Sequence, residues 1–199
     1  TVEEPFLKKQ KLEATKIVTP GTSVATSVAH DGTISAKHSA EMVFLAGSSN
    51  MTLANEVVDC LKIPRGKVAI KRFADGEVFV KVEQCCRGKD IFILQSTSPP
   101  VNDALMELLL MISTVRRASA KRITAIVPYY GYARQDRKMH SRTPISAADV
   151  ARLLESMGVD RVVSVDLHCG QIQGFFPPRV PMDNLESFSI GIEWFVKNQ

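Results

Sequence analysis

The chain has 199 residues, 45% hydrophobic, 23% charged and 7% aromatic, with a formal net charge of +4. That composition excludes a collagen-like, low-complexity or wholly disordered chain and fits one globular domain with or without a tail. No run of about 18 apolar residues occurs, so no membrane-spanning helix is expected, and the mild basic excess suits an anionic small molecule as well as a nucleic acid and argues strongly for neither.

Residues 1–41 are rich in Ser, Thr, Ala and Lys and hold one aromatic, Phe6. They are expected to form a flexible N-terminal extension, with room for a short helix near Phe6–Thr15. This stretch has no apolar leader core and no Arg, and its start contains Glu3, Glu4 and Glu13, so neither a secretory signal nor a transit peptide fits it. Cys60, Cys85, Cys86 and Cys169 lack the spacing of a zinc site. Reduced thiols in a cytoplasmic chain are the expectation.

From Met42 onward the pattern is that of a folded domain, taken as residues 42–199. Met42–Ala46 reads as a buried strand, followed by the turn Gly47-Ser48-Ser49-Asn50 and a helix carrying Leu53, Val57, Val58 and Leu61. Lys67–Phe73 and Val78–Glu83 alternate as strands around Ala74-Asp75-Gly76-Glu77, whose Asp-Gly pair signals a hairpin. Asp90–Gln95 is a strand. Beyond Pro99-Pro100, Leu105, Leu108, Leu109, Ile112 and Val115 mark a helical face. Arg122–Val127 is a strand, Tyr129–Arg142 a polar loop, and Ser146–Met157 a helix with Val150, Leu153, Leu154 and Met157 on its apolar side. Arg161–Val165 is a strand running into Asp166-Leu167-His168. A helical piece at Gln171–Phe176, a Pro-rich turn and a helix at Phe188–Lys197 complete the pattern. Strands alternating with helices predict an α/β fold: a mostly parallel, doubly wound sheet with one early hairpin. Ligands in such folds sit at the carboxyl ends of the strands.

Three constellations stand out. The loop Tyr129–Arg142 carries Arg134, Arg137, Lys138 and Arg142 against one acid, Asp136. Arginine forks match phosphate oxygens, so a polyphosphate seat or a solvated basic loop both fit. Asp166 and His168 follow an apolar strand and, by strand alternation, are expected to share a face. A carboxylate beside an imidazole suits a magnesium-bound polyphosphate or an oriented proton donor, and equally a satisfied strand end. Phe73, Asp75 and Glu77 read, on their own, mainly as turn formers and core. The P-loop and dinucleotide glycine motifs, H-E-x-x-H and G-x-S-x-G are all missing.

At these motifs the sequence resembles the ribose-phosphate pyrophosphokinases (PRPP synthetases). The resemblance runs from about Met42 to the C-terminus. It rests on Gly47-Ser48-Ser49, Lys71-Arg72-Phe73-Ala74-Asp75-Gly76-Glu77, Val101-Asn102-Asp103, Met106-Glu107-Leu108-Leu109, Tyr132-Ala133-Arg134-Gln135-Asp136, Ser141-Arg142, Pro144-Ile145-Ser146, Val165-Asp166-Leu167-His168 and Gln171–Phe176. It implies a phosphoribosyltransferase-like domain and transfer of diphosphate from ATP to ribose 5-phosphate, with Mg2+, giving PRPP and AMP.

Carried over by residue, the resemblance places ATP on Arg134 and Gln135, and His168 beside the phosphates as catalytic group. It places the metal on Asp166, His168 and Asp183. Phe73, Asp75 and Glu77 are implied to reach a neighbouring subunit's ATP, which calls for a homo-oligomer, a hexamer in the family. Arg87, Ser141 and Arg142 match a regulatory phosphate site, although Cys85 stands where many members carry Ser. The acid that usually follows the paired Phe is replaced after Phe176 by Pro177-Pro178-Arg179.

The resemblance also implies that ribose 5-phosphate is bound by a second half absent from these 199 residues. The expectation is therefore an ATP-binding half without turnover of its own. Two further readings are a non-catalytic synthetase-associated subunit and a free-standing nucleotide-binding module.

Overall fold

The structure, a computed structural model, describes residues 41–198. The expected extension, with its helix near Phe6–Thr15, lies almost wholly outside the described residues. Apolar runs of five or six residues give strands β1 (Met42–Ala46), β4 (Asp90–Leu94), β5 (Arg122–Val127) and β6 (Arg161–Val165). With β7 (Met182–Leu185) they form one parallel sheet, ordered β1-β4-β5-β6-β7. Strand order therefore rises steadily across the sheet and never reverses.

Helices cover both faces. Val43, Leu45, Ile91, Ile93, Ile123, Ala125, Val127 and Val162 point to one side. There they pack on α2 (Val101–Arg117) through Leu108, Met111, Ile112 and Val115, and on α3 (Ser146–Ser156) through Ala147, Val150, Ala151 and Leu154. The alternate residues Phe44, Ala46 and Leu94 face the other way, onto Ala54 and Val58 of α1 (Met51–Leu61). One strand thus supplies two cores, as period-2 alternation requires.

Local chemistry sets the ends of these helices. The Asn50 side chain accepts the Leu53 N–H at 3.0 Å and caps α1. Asp103 in the first turn of α2 and Arg116 and Arg117 in its last turn complement the helix dipole. Gly158, at φ +92°, takes the left-handed position after α3.

The hairpin β2 (Val68–Arg72) and β3 (Val78–Val82) is a separate two-stranded sheet. Its inward Val68, Ile70, Val80 and Val82 pack on the core of the α2 side. At its tip Phe73 donates its N–H to the Glu77 carbonyl at 2.9 Å, Gly76 donates to the Phe73 carbonyl at 3.0 Å, and Glu77 donates to Asp75 Oδ1 at 3.1 Å.

The sequence pattern gives no sign of β7: its four residues Met-Asp-Asn-Leu carry two polar side chains, and only pairing with β6 along the sheet edge makes them a strand. Two sequence expectations are corrected. Leu153 is 43% exposed, because the buried stripe of α3 runs through Ala147, Val150, Ala151 and Leu154 and leaves position 153 on its flank. Strand alternation does not relate Asp166 to His168. β6 ends at Val165, and Asp166 turns into the left-handed region at φ +45°, a conformation that Asp tolerates better than most residues.

The last helix, α4 (Phe188–Lys197), buries no residue; Phe188, Ile190, Trp194 and Phe195 are all exposed. No helix among the described residues is long and apolar enough to cross a membrane.

Candidate functional site at the carboxyl ends of β5 and β6

β5 and β6 are neighbouring parallel strands, so the loop after one and the turn after the other leave the same end of the sheet. The first is Tyr129–Arg142. Its start is pinned to the segment after β4: Thr97 donates its N–H to the Tyr129 carbonyl at 3.0 Å, and Gly131 donates to Thr97 Oγ1 at 2.6 Å. The Tyr132 hydroxyl bonds Asn102 at the start of α2. Gln135 is held from the α3 side, its Oε1 accepting from Ser146 Oγ at 2.5 Å and its carbonyl from the Ala147 N–H at 3.1 Å.

Arg134, between these anchors, is exposed, and among the described residues its guanidinium has no ion pair or hydrogen bond. The same holds for Arg142. Elsewhere most guanidinium groups are taken, as in Arg116–Asp160, Arg122–Asp90 and Arg161–Asp183, while exposed Arg87 and Arg117 likewise have no partner among the described residues. Two unspent arginines on one strand-end loop form a basic surface ready for an anion.

The second segment is the turn after β6. Asp166 donates its N–H to the Leu185 carbonyl at 2.9 Å, and Leu167 donates to Asn184 Oδ1 at 3.0 Å, so β7 fixes this turn. The Asp166 carboxylate accepts the Ser187 N–H at 3.0 Å and the Ser187 hydroxyl. The hydroxyl first, and then the N–H, hold its carboxyl below the usual carboxylate range.

The sign of the linkage follows from that direction. The stabilising effect of ionised Asp166 is present above the ordinary carboxylate range and is lost as pH falls through the lowered folded value. Ser187→Ala is expected to return the Asp166 titration upward toward the ordinary range, read from its carboxyl carbon resonance against pH. An unmoved midpoint would remove Ser187 as the cause.

The expected site residues do not all meet. Arg134, Gln135, Asp166 and His168 share the carboxyl end of β5 and β6, and His168 is exposed there. Asp183 pairs across the sheet with Val163, two residues before the strand end, and its carboxylate takes Arg161 Nε at 2.6 Å. No group of three or more His, Cys, Asp or Glu placed to hold a metal ion exists among the described residues. A carboxylate with few protein companions fits magnesium, which keeps most of its waters and shares phosphate oxygens, better than it fits a closed all-protein cage.

Arg87 lies just before β4, at the amino end of the sheet, whereas Ser141 and Arg142 lie on the carboxyl-end loop. Phe73 is 54% exposed at the hairpin tip, its ring edge-on to Phe79, with Asp75 and Glu77 open beside it. No hydrogen bond, ion pair or ring contact among the described residues joins that tip to Arg134, Gln135 or His168. A cleft of about 580 Å³ opens elsewhere, at the end of β1, between Ser48, Met51, Arg65, Lys67 and Glu83.

The structure adds residues that patterning did not single out. Glu107, on the buried face of α2, is 1% exposed and accepts the Ser48 N–H at 2.5 Å and the Ser48 hydroxyl at 2.7 Å. Buried Gln95 accepts the Ser49 N–H at 3.2 Å and hydroxyl at 2.9 Å. The signal for Glu107 was its position: it is the one charged residue in the stripe that runs through Ala104, Leu108, Met111 and Ile112. Cys169, directly after His168, donates its thiol to Asp136 Oδ2 at 2.8 Å; no sequence pattern marks such a pair.

Residues 42–158 match the family model of the N-terminal domain of ribose phosphate pyrophosphokinase. The chain belongs to this family. A ribose-phosphate pyrophosphokinase of Mesorhizobium japonicum is 57% identical over 149 residues, which are 75% of this chain and 47% of that protein. One of Bacillus caldolyticus is 49% identical over 159 residues, 80% of this chain and 50% of that protein. The crystal structure of phosphoribosylpyrophosphate synthetase from Mycobacterium smegmatis superposes with a TM-score of 0.76 at 44% identity, covering 79% of this chain and 52% of that one. The chain thus spans about half the length of the curated relatives it matches, and its fold is that of the N-terminal domain of the family.

Proposed function

We propose that this chain is the ATP-binding half of a ribose-phosphate pyrophosphokinase. Such an enzyme moves diphosphate from ATP to the anomeric hydroxyl of ribose 5-phosphate, forming PRPP and AMP for nucleotide biosynthesis in the cytoplasm. The observation that carries the reading is Arg134, without a partner among the described residues and held between fixed anchors at the carboxyl end of β5, beside the turn bearing Asp166 and His168. Phosphoryl-group transfer asks a protein mainly for positioning and for positive charge at the phosphates.

In this reading Arg134 and Gln135 hold the triphosphate and His168 lies beside the reacting phosphates. Mg2+ supplies charge neutralisation at the phosphate oxygens when bound, with Asp166 and His168 on the protein side; Asp183 joins only if it leaves Arg161. Phe73, Asp75 and Glu77 serve the ATP of a second copy in a homo-oligomer, which suits an exposed Phe at a hairpin tip. Arg87 on one copy with Ser141 and Arg142 on another would form a regulatory phosphate site, since one chain keeps them at opposite ends of the sheet. Ribose 5-phosphate belongs to the half of the relatives that this chain does not align with.

Calorimetric titration with Mg-ATP tests the proposal. Wild-type protein is expected to bind, and Arg134→Ala to bind more weakly by about 1.5–3 kcal/mol, the worth of a charge-assisted contact, or roughly 10- to 100-fold. Equal affinity of the two proteins would take Arg134 out of the site.

A further inference from the structure

Cys169 has no part in the proposed chemistry, yet its thiol makes a contact that ties the site together. Its Sγ lies 2.8 Å from Oδ2 of Asp136, 33 residues away in sequence. Among the described residues this is the one hydrogen bond between the Tyr129–Arg142 loop and the segment 166–176. We propose that Cys169 is a positioning residue: by donating to Asp136 it holds Arg134 and Gln135 in register with Asp166 and His168. The role in nucleotide binding rests on the function proposed above; the role in holding the loop does not.

A free carboxylate two residues from Arg134 and next to Arg137 repels phosphate oxygens and competes for those guanidinium groups. In the structure neither arginine takes it. The Asp136 carboxylate turns to the β6 side, where the thiol occupies Oδ2 and His168 stands nearby.

Mechanically, the segment 134–136 is gripped from two sides. The α3 side holds Gln135 through Ser146 Oγ and the Ala147 N–H. The β6 side holds Asp136 through Cys169. With one grip removed, the loop keeps its ends, fixed at Thr97 and α3, but loses the constraint that sets the direction of Arg134. Cys169 also packs against the core beside Leu167 and Phe175, so packing and donation need to be separated by experiment.

Cys169→Ala and Cys169→Ser separate them. Alanine removes the donor and most of the volume, while serine restores a donor with a smaller atom. Two readouts are taken on each protein: backbone hydrogen exchange over residues 129–142 without nucleotide, and Mg-ATP affinity by calorimetry. Cys169→Ala is expected to speed exchange at 134–137 and to weaken Mg-ATP about fivefold, as the loss of one ordinary hydrogen bond implies. Cys169→Ser is expected to recover most of both.

Unchanged exchange and affinity in Cys169→Ala would overturn the inference. So would Cys169→Ser behaving like alanine, since the effect would then belong to packing. If wild type fails to bind Mg-ATP while exchange follows the expected order, the proposed function falls and the positioning role of Cys169 stands.

Discussion

Glu107→Ala is expected to lower the unfolding free energy by about 3 kcal/mol. Two hydrogen bonds end on this carboxylate, from the N–H and the hydroxyl of Ser48, and each is of the charge-assisted kind worth about 1.5–3 kcal/mol. Removing a buried charge returns part of that sum, because the carboxylate no longer has to be stripped of water. The space left beside Leu108 and Met111 acts in the other direction, by about 24 cal/mol per Å³ that the core fails to close.

For a folded region of this size, 3 kcal/mol corresponds to a fall in Tm of about 6–12 °C, from about 2–4 °C per kcal/mol. Glu107→Gln keeps the volume and one acceptor but turns an amide NH2 toward a donor, so it is expected to lose about half as much. Urea unfolding of the three proteins decides the matter. A Glu107→Ala midpoint indistinguishable from wild type would show that the pair Glu107–Ser48 contributes nothing net.

The same network shows where the sequence was legible and where it was not. Period identifies β1 through β6 and all three packed helices, because each is an apolar run, an alternating strand or a helical stripe, and several are punctuated by Asn50, Asp75-Gly76, Gly158 or a proline. β7 escaped because an edge strand with one partner needs little apolar character of its own. Leu153 lies off the buried face because a helical stripe is narrower than the set of apolar residues that falls near it.

The candidate site divided along a similar line. Arg134, Gln135, Asp166 and His168 were visible as polar residues at strand ends, and the parallel pairing of β5 with β6 brings them to one end of the sheet. The grips on them were not visible: Cys169 on Asp136, Ser187 on Asp166 and Ser146 on Gln135 join residues 11 to 33 positions apart. Such contacts depend on how loops cross in space, and no periodicity encodes that. The roles given to the hairpin tip come from resemblance alone, since among the described residues the exposed Phe73 ring meets only Phe79 of its own hairpin edge-on.

Gly131→Ala is expected to be damaging out of proportion to one methyl group, by about 3 kcal/mol in stability together with a loss of Mg-ATP affinity. A Cβ on Gly131 would sit 2.8 Å from the Thr97 carbonyl oxygen, 2.9 Å from Val101 Cγ1 and 3.1 Å from Thr97 Oγ1. The nearest of these is backbone and cannot rotate away. Thr97 cannot recede either, because its N–H and hydroxyl both bond the Tyr129 carbonyl and its hydroxyl oxygen takes the Gly131 N–H. Overpacking of this kind typically costs about 1–3 kcal/mol, and contact with fixed backbone places it at the upper end.

Gly76 provides the contrast. A Cβ there meets nothing within 4 Å, and the requirement for glycine comes only from φ +93°, so Gly76→Ala strains the turn without pushing a neighbour. Gly131 is needed for space and Gly76 for conformation. The difference reaches function because Gly131 is three residues from Arg134. Relief of the clash must move the loop start outward, and Arg134 moves with it while Gln135 stays bonded to α3. The two variants, compared by urea unfolding and by Mg-ATP calorimetry, are therefore expected to part company. Gly76→Ala should lose only stability, and Gly131→Ala both stability and affinity. Full nucleotide affinity in a folded Gly131→Ala would show that the close approach of the loop to Thr97 does not set the direction of Arg134.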